Sequence, residues 1–175
     1  MSMKQIPEKL INYTGYLNGS TYLGTADVTL PTLEMISDTI KGAGIAGEID
    51  SPTIGQYSSM TVTLNWRTIT QEAIQLHAPT THAIDFRGAQ QVFDASTNER
   101  KVQGVKVSVR AMPKSGELGK FDPSTTTDST NEMEVTYLKI EIDGKIMVEI
   151  DKLNYKSVFN GKDYLSEVRS ILGME

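Results

Sequence analysis

A chain of 175 residues and 19.3 kDa amounts to one domain, long enough to bury a core without disulfides or metal. It has no cysteine, which excludes disulfides, thiolate catalysis, iron–sulfur clusters and thiolate zinc sites, and leaves two histidines for metal or acid–base work. The net charge of −5, from 17 Lys+Arg against 22 Asp+Glu, argues against a grip on phosphate backbones or anionic membranes.

The opening Met1-Ser2-Met3-Lys4-Gln5-Ile6-Pro7 lacks an apolar core of signal-peptide length, and no apolar run approaches the roughly 20 residues of a membrane span. A soluble protein kept in the cytoplasm of its producer is expected. With 19 Thr against 9 Ala, the composition favours pleated strands over helices. The expected class is mainly β with minor α, in a single domain over 1–175.

In chain order, Asn18-Gly19 between the Tyr- and Thr-rich runs of Leu10–Leu30 predicts a hairpin. Leu33–Ile40 continues as strand. Lys41–Gln56 is Gly-rich, carries Pro52 and shows no period, so it reads as a long loop. Ser58–Thr68 alternates, with Met60, Val62, Leu64 and Trp66 on a dry face and Thr61, Thr63, Asn65 and Arg67 on a wet one. Thr70 caps a short helix, Gln71–Ala78, which Pro79 stops. Ala83–Phe93 and Val102–Ala111 are two further strands around the turn-rich Asp94–Lys101, and the polar stretch 113–131 reads as an exposed, mobile loop.

For Glu134–Asp151, a two-residue Asp143-Gly144 turn would mix apolar and charged residues on both faces. A three-residue loop, Ile142-Asp143-Gly144, instead pairs Ile140 with Ile146 and Leu138 with Val148, giving one apolar face. The other face then holds Tyr137, Lys139, Glu141, Lys145, Met147 and Glu149 for water or a partner. After Asn160-Gly161, the residues Tyr164, Leu165, Val168, Ile171 and Leu172 form a helical stripe closed by Gly173.

Motifs for chemistry are absent. Gly42-Ala43-Gly44-Ile45-Ala46-Gly47 spells the dinucleotide fingerprint, but Pro52 comes too early for the helix that must follow, and no carboxylate lies about 20 residues on to take a ribose. His77 and His82, with Glu72 or Asp85, lack zinc spacing. No serine sits in G-x-S-x-G, and Glu132/Glu134 and Glu149/Asp151 read as solvated strand faces. No catalytic, cofactor or metal residue is assigned. One-sided strands with conspicuous loops suggest self-assembly, because exposed edges need pairing.

Several blocks resemble the major tail tube protein family of contractile-tailed bacteriophages along nearly the whole chain. They are the opening Met3–Pro7 to Asn12 with its Asn-Gly hairpin, Leu30-Pro31-Thr32-Leu33-Glu34, and the glycine motif 42–47. Most specific are Thr136–Ile140 through Asp143-Gly144-Lys145, Val148–Asp151, Asn154 and Val158–Asp163, whereas Lys114–Asn131 matches least.

The resemblance implies a non-enzymatic β-sandwich or barrel subunit whose strands join into a large barrel in hexameric rings, stacked into a hollow tube inside a contractile sheath. Implied partners are further copies of itself, the tail sheath protein, the tape-measure protein, and baseplate and tail-terminator proteins. Double-stranded DNA would pass through the lumen without sequence recognition. The implied location is the virion tail after assembly in the host cytoplasm, without membrane insertion. Related bacteriocin and secretion tubes share the fold but carry no genome, and a monomeric carbohydrate- or peptide-binding β-sandwich is the alternative from another class.

Six copies at −5 would place roughly −30 on a ring, a charge that repels phosphates. Candidate lumen residues are Thr61, Thr63, Asn65 and Arg67, with Arg67 an awkward member. Candidate stacking residues are Gly42, Ala43, Gly44, Ile45, Ala46 and Gly47, where small residues permit close approach and Ile45 wants a partner.

Overall fold

The computed structural model describes residues 4–174, so Met3 of the opening block lies outside the described residues. Strands β1 (Gln5–Leu17) and β2 (Thr21–Leu23) form the first hairpin, with Asn18 and Gly19 both at positive φ. Next come β3 (Asp27–Thr29), β4 (Met35–Lys41), β5 (Glu48–Tyr57) and β6 (Thr61–Trp66). Helix α1 (Gln71–Gln75) is capped by Thr70, whose side chain accepts from the Ala73 amide. It ends short of the expected Ala78 in a run of turns.

The long strands β7 (His82–Asp94), β8 (Glu99–Glu117) and β9 (Ser129–Ile142) follow, then β10 (Lys145–Asp151), β11 (Lys156–Phe159), β12 (Lys162–Asp163) and α2 (Ser166–Ile171). The main sheet is antiparallel, in the order β12-β11-β10-β9-β8-β7-β1-β2. The first half of β9 also pairs with β6, which pairs with β3.

Strand alternation decides which face is dry. In register across five strands stand Leu17, Ile84, Val109, Leu138 and Ile150, all buried. Two residues along, Gly15, Phe86, Val107, Ile140 and Val148 form a second inward row. Facing these rows are Met60, Val62, Leu64 and Trp66, buried on the dry side that their spacing predicts. Each fully buried aliphatic or aromatic side chain here contributes about 1.5–3 kcal/mol, so this shared core holds the two layers together.

Four expectations are corrected. Lys41–Gln56 is a loop only over 42–47, because Glu48–Tyr57 forms strand β5 and pairs with β4 as a separate two-stranded sheet. The 113–131 loop shrinks to 118–128, since β8 runs through Pro113 to Glu117 against β9, with register shifts around Ala111 and Pro113.

The Asp143-Gly144 turn has two residues, both left-handed, with Ile142 opposite Lys145. A register shift between Ile146 and Val148 then brings Val148 opposite Ile140 and Ile150 opposite Leu138, so the bulge restores the apolar face that a plain two-residue turn would lose. Finally, α2 starts after Leu165, which is buried, whereas Tyr164, Ile171 and Leu172 are exposed.

Candidate assembly surfaces

Three surfaces are built by this fold. The first is the wet side of β6. Thr61, Thr63 and Asn65 stand opposite Glu134, Glu132 and Thr130 of β9, and Asn65 donates to the Asp27 carboxylate of β3. Ser59 donates to Glu134 at 2.6 Å, and Lys114 lies 3.4 Å from Glu132. This patch therefore carries three carboxylates and one ammonium. Arg67 follows the last residue of β6, and its carbonyl accepts from the amides of Thr127 and Asp128.

The second surface is the outer face of β1, β7, β8, β9 and β10. Here Tyr16, Asp85, Ser108, Lys139 and Glu149 are in register across all five strands. Ion pairs and rings tie this row to its neighbours. Arg87 lies 4.7 Å over the Tyr16 ring, and Arg110 lies 4.6 Å over that of Tyr137. Lys106 pairs with Asp85 at 3.7 Å, Lys139 with Glu141 at 3.5 Å, and Lys156 with Glu149 at 2.9 Å.

The Tyr137 hydroxyl donates to Glu149 at 3.0 Å; partial burial and that anionic acceptor push its pKa up to about 12. Glu149 is held below the usual carboxylate range, chiefly by its hydrogen bond from Lys156. Tyr137, Lys139, Glu141 and Glu149 of this face were legible in the sequence, but the expected Lys145 is opposite inward Ile142 and Ile146, expected inward, stands opposite Glu141, because the bulge falls after the first two pairs. Asp85, Arg87, Lys106 and Arg110 were missed, although each sits one step from an apolar residue in an alternating strand, which is the signal that would have found them.

The third surface is the β4–β5 hairpin. Alternation places Ile36, Asp38 and Ile40 on one face together with Ile49, directly opposite Ile40, and Ser51, directly opposite Asp38; about half of each isoleucine remains exposed. The other face is polar, with Thr39 donating to Asp50 at 2.8 Å and Lys41 lying 3.8 Å from Glu48. At the tip, Gly42, Gly44 and Gly47 have positive φ, and a Cβ added to any of them would meet no neighbour within 4 Å. Strand β5, not a helix, follows this motif, so the frame for a pyrophosphate is missing. Ile45 is half-buried at the tip, flanked by exposed Ala43 and Ala46.

The hairpin root is fixed. Gly55 has φ +66°, and a Cβ there would come within 2.5 Å of Leu165. Leu165 is in turn anchored by Asp163, which accepts its amide at 3.0 Å and pairs with Arg169 at 2.7 Å.

On the β1 side the sheet is open. β2 pairs only with Gly15–Leu17, so among the described residues no second strand covers Gln5–Asn12. The histidines do not meet a carboxylate cluster. His82 is buried with a ring nitrogen 3.1 Å from the Ala78 carbonyl, and the described residues contain no group of three or more metal-ligating side chains. No helix among them is long and apolar enough to cross a membrane.

An open-edged β subunit with a projecting hairpin whose isoleucines stay half exposed has the character of an assembly protein. The chain belongs to the phage tail tube protein FII family, whose profile matches residues 7–173. It is a structural subunit of a phage tail tube, not an enzyme, and a component of the virion. It is similar to the tail tube protein of Escherichia phage P2, at 28% identity over 97% of this chain and 99% of that one. The major tail tube protein of Serratia phage KSP20 is 23% identical over 97% of this chain and 98% of its own length. Among solved structures, the sheath/tube terminator of the PVC extracellular contractile injection system shares the fold, with TM-score 0.53 and 14% identity. That match covers 78% of this chain and 97% of the terminator.

Proposed function

We propose that six copies close into a ring by pairing the free edge of β1 with the β10–β12 side of a neighbour, and that rings stack through the β4–β5 hairpin. The observation that carries this reading is the hairpin itself. Its isoleucine face is uncovered by its own chain, yet the root is locked by Gly55 and Leu165, so the arm is held out for another copy. Strands joined edge to edge around a ring leave no open margin, which removes the aggregation hazard of β1.

The layer β1-β7-β8-β9-β10 is the broadest continuous sheet between two margins, so its outer face is the first candidate for the lumen wall. Its central cations Arg87, Lys106, Arg110 and Lys139 are each engaged by a carboxylate or a ring, which weakens their pull on phosphates. The β6 face, with Thr61, Thr63 and Asn65 beside Asp27, Glu132 and Glu134, is the second candidate, favoured by its excess of carboxylates. Gly42–Gly47 with Ile45 forms the stacking tip.

The tube sits inside a contractile sheath, is assembled in the host cytoplasm with tape-measure, baseplate and terminator proteins, and conducts double-stranded DNA. A DNA-free injection tube is the second reading, favoured by the likeness in fold to the PVC terminator. Electron microscopy of particles from the producing cell tests both: tubes attached to DNA-filled capsids are expected. Headless tubes support the second reading, and a strictly monomeric protein at every concentration contradicts both.

A further inference from the structure

Strand β1 is irregular over the stretch that edge pairing would use. The eight residues Gln5–Asn12 run against six of β7, Asp94 to Ala89, because Glu8 and Ile11 have no partner and bulge from the ladder. Four features interrupt this margin in succession. Pro7 has no N–H to give. Glu8 and then Ile11 break the regular spacing of donors and acceptors. The Tyr13 amide donates to Oδ1 of its neighbour Asn12 at 2.8 Å, a local bond that competes with a ladder. Between Gln5 and Gly15, where the cover of β2 begins, no run of more than three residues is paired to β7 without a shift. A straight strand brought alongside therefore finds no continuous row of groups to bond. Bulges and proline are among the devices by which sheet edges avoid indiscriminate pairing.

One of the two bulges is fastened. The Glu8 carboxylate accepts from the side-chain amide of Gln91 and lies 3.6 Å from the Arg100 guanidinium, so it reaches from β1 across β7 to β8. Alternation puts Gln91 and Arg100 in neighbouring rows of the outer face, within reach of one side chain. Glu8 as a residue is exposed, yet its side chain is only 27% so, because the carboxylate is tied down. Ile11, half exposed, offers no polar group to fasten the second bulge.

Resting on the ring reading above, we infer that the Glu8 bulge is a latch on assembly. Fastened to Gln91 and Arg100, it keeps the β1 margin unpairable in the free subunit. Ring closure releases it, so that a strand of a second copy can run along Gln5–Asn12. The clamp is two contacts, whereas a full ladder is several backbone hydrogen bonds. Two subunits meeting in solution gain part of one margin and leave the latch shut. A subunit arriving at a growing end gains margin and hairpin contacts together, enough to open it. The latch thus favours growth over spontaneous nucleation and keeps free subunits apart.

Deleting Glu8 removes the first bulge while keeping every pair between β1 and β7. Glu8→Ala and Arg100→Ala leave the bulge but open the clamp from either side. All three are expected to keep the subunit's circular dichroism, and to shorten the lag of unseeded tube formation, followed by light scattering, about tenfold, the weight of one charge-assisted hydrogen bond. A lag that is unchanged or longer in Glu8→Ala and Arg100→Ala overturns the latch. The assembled state gives the second readout. In a map of tubes of the unsubstituted chain, Glu8 should be parted from Gln91 and Arg100. A clamp still closed beside a paired Gln5–Asn12 overturns the latch and leaves the ring intact, whereas tubes in which Gln5–Asn12 meets no neighbour overturn the ring reading, and the latch with it.

Discussion

The indole N–H of Trp66 donates to Oδ1 of Asn131 at 2.8 Å with both side chains buried, and Asn131 passes the bond on to the Ala73 carbonyl at 3.2 Å. One amide thus joins β6, β9 and α1 inside an otherwise apolar core. A buried donor left without its acceptor costs about 1–3 kcal/mol. Asn131→Leu is expected to destabilise the subunit by that amount, read by urea unfolding. Trp66 is the single tryptophan, so its fluorescence reports this contact directly.

At the hairpin root, Gly55→Ala places a methyl against Leu165 in a left-handed backbone position. The strain exceeds about 1 kcal/mol and falls on the hairpin's attachment, away from the five-strand core. Faster proteolytic cleavage within 42–47 and loss of tube assembly are expected, with strand content unchanged. A hairpin as protease-resistant as the unsubstituted one would contradict this.

Ile40→Asp and Ile49→Asp place charge on the uncovered face of the hairpin at a directly paired position. Both side chains are already half in water in the isolated subunit, so the melting temperature is expected to change little. Tubes are expected to disappear from electron micrographs.

How much of this was legible in the sequence depended on whether burial wrote a period into it. Strand β6, buried on one side, alternates without exception, and Thr70 announces α1 through its capping hydroxyl. Strand β5 and its pairing with β4 escaped because Glu48–Ile54 is mostly exposed and carries Pro52, with Gly55 following, so burial imposes a pattern only at its end, at Tyr57. The β9–β10 register escaped for a different reason: the irregularity around Met147 is selected by the pairing, not by any residue preference there. Likewise the polar stretch from Pro113 read as a loop, but Pro113 itself is accommodated beside a register shift in β8.

Ionisation gives a signed expectation. Asp94 is held well below the usual carboxylate range, first by its hydrogen bond from Lys101 at 2.7 Å and then by Ser96. Burial pushes Asp163 up, but Arg169 and the amides of Leu165 and Ser157 outweigh it and leave it lowered. Depressed carboxylates stabilise the fold in full above about pH 4 and lose that contribution as pH falls through their folded values. Asp163→Asn is therefore expected to flatten the acid limb of the stability curve, followed by melting temperature from pH 5 downward.

Tyr137 works at the other end of the scale. Its folded pKa of about 12 exceeds the ordinary 10.0, so its neutral hydroxyl contributes stability below pH 10 that is lost as pH rises toward 12. Tyr137→Phe is expected to remove that alkaline loss, and the difference in tyrosinate absorbance between the two proteins should titrate near 12.

A reconstruction of the assembled protein by electron cryomicroscopy bears most directly on the edge-paired ring. The backbone of Gln5–Asn12 in one subunit should be hydrogen-bonded to a strand of its neighbour, with the sheet continuous around a central bore. A map in which that edge of β1 faces solvent, or is covered by a segment of its own chain, would contradict the ring.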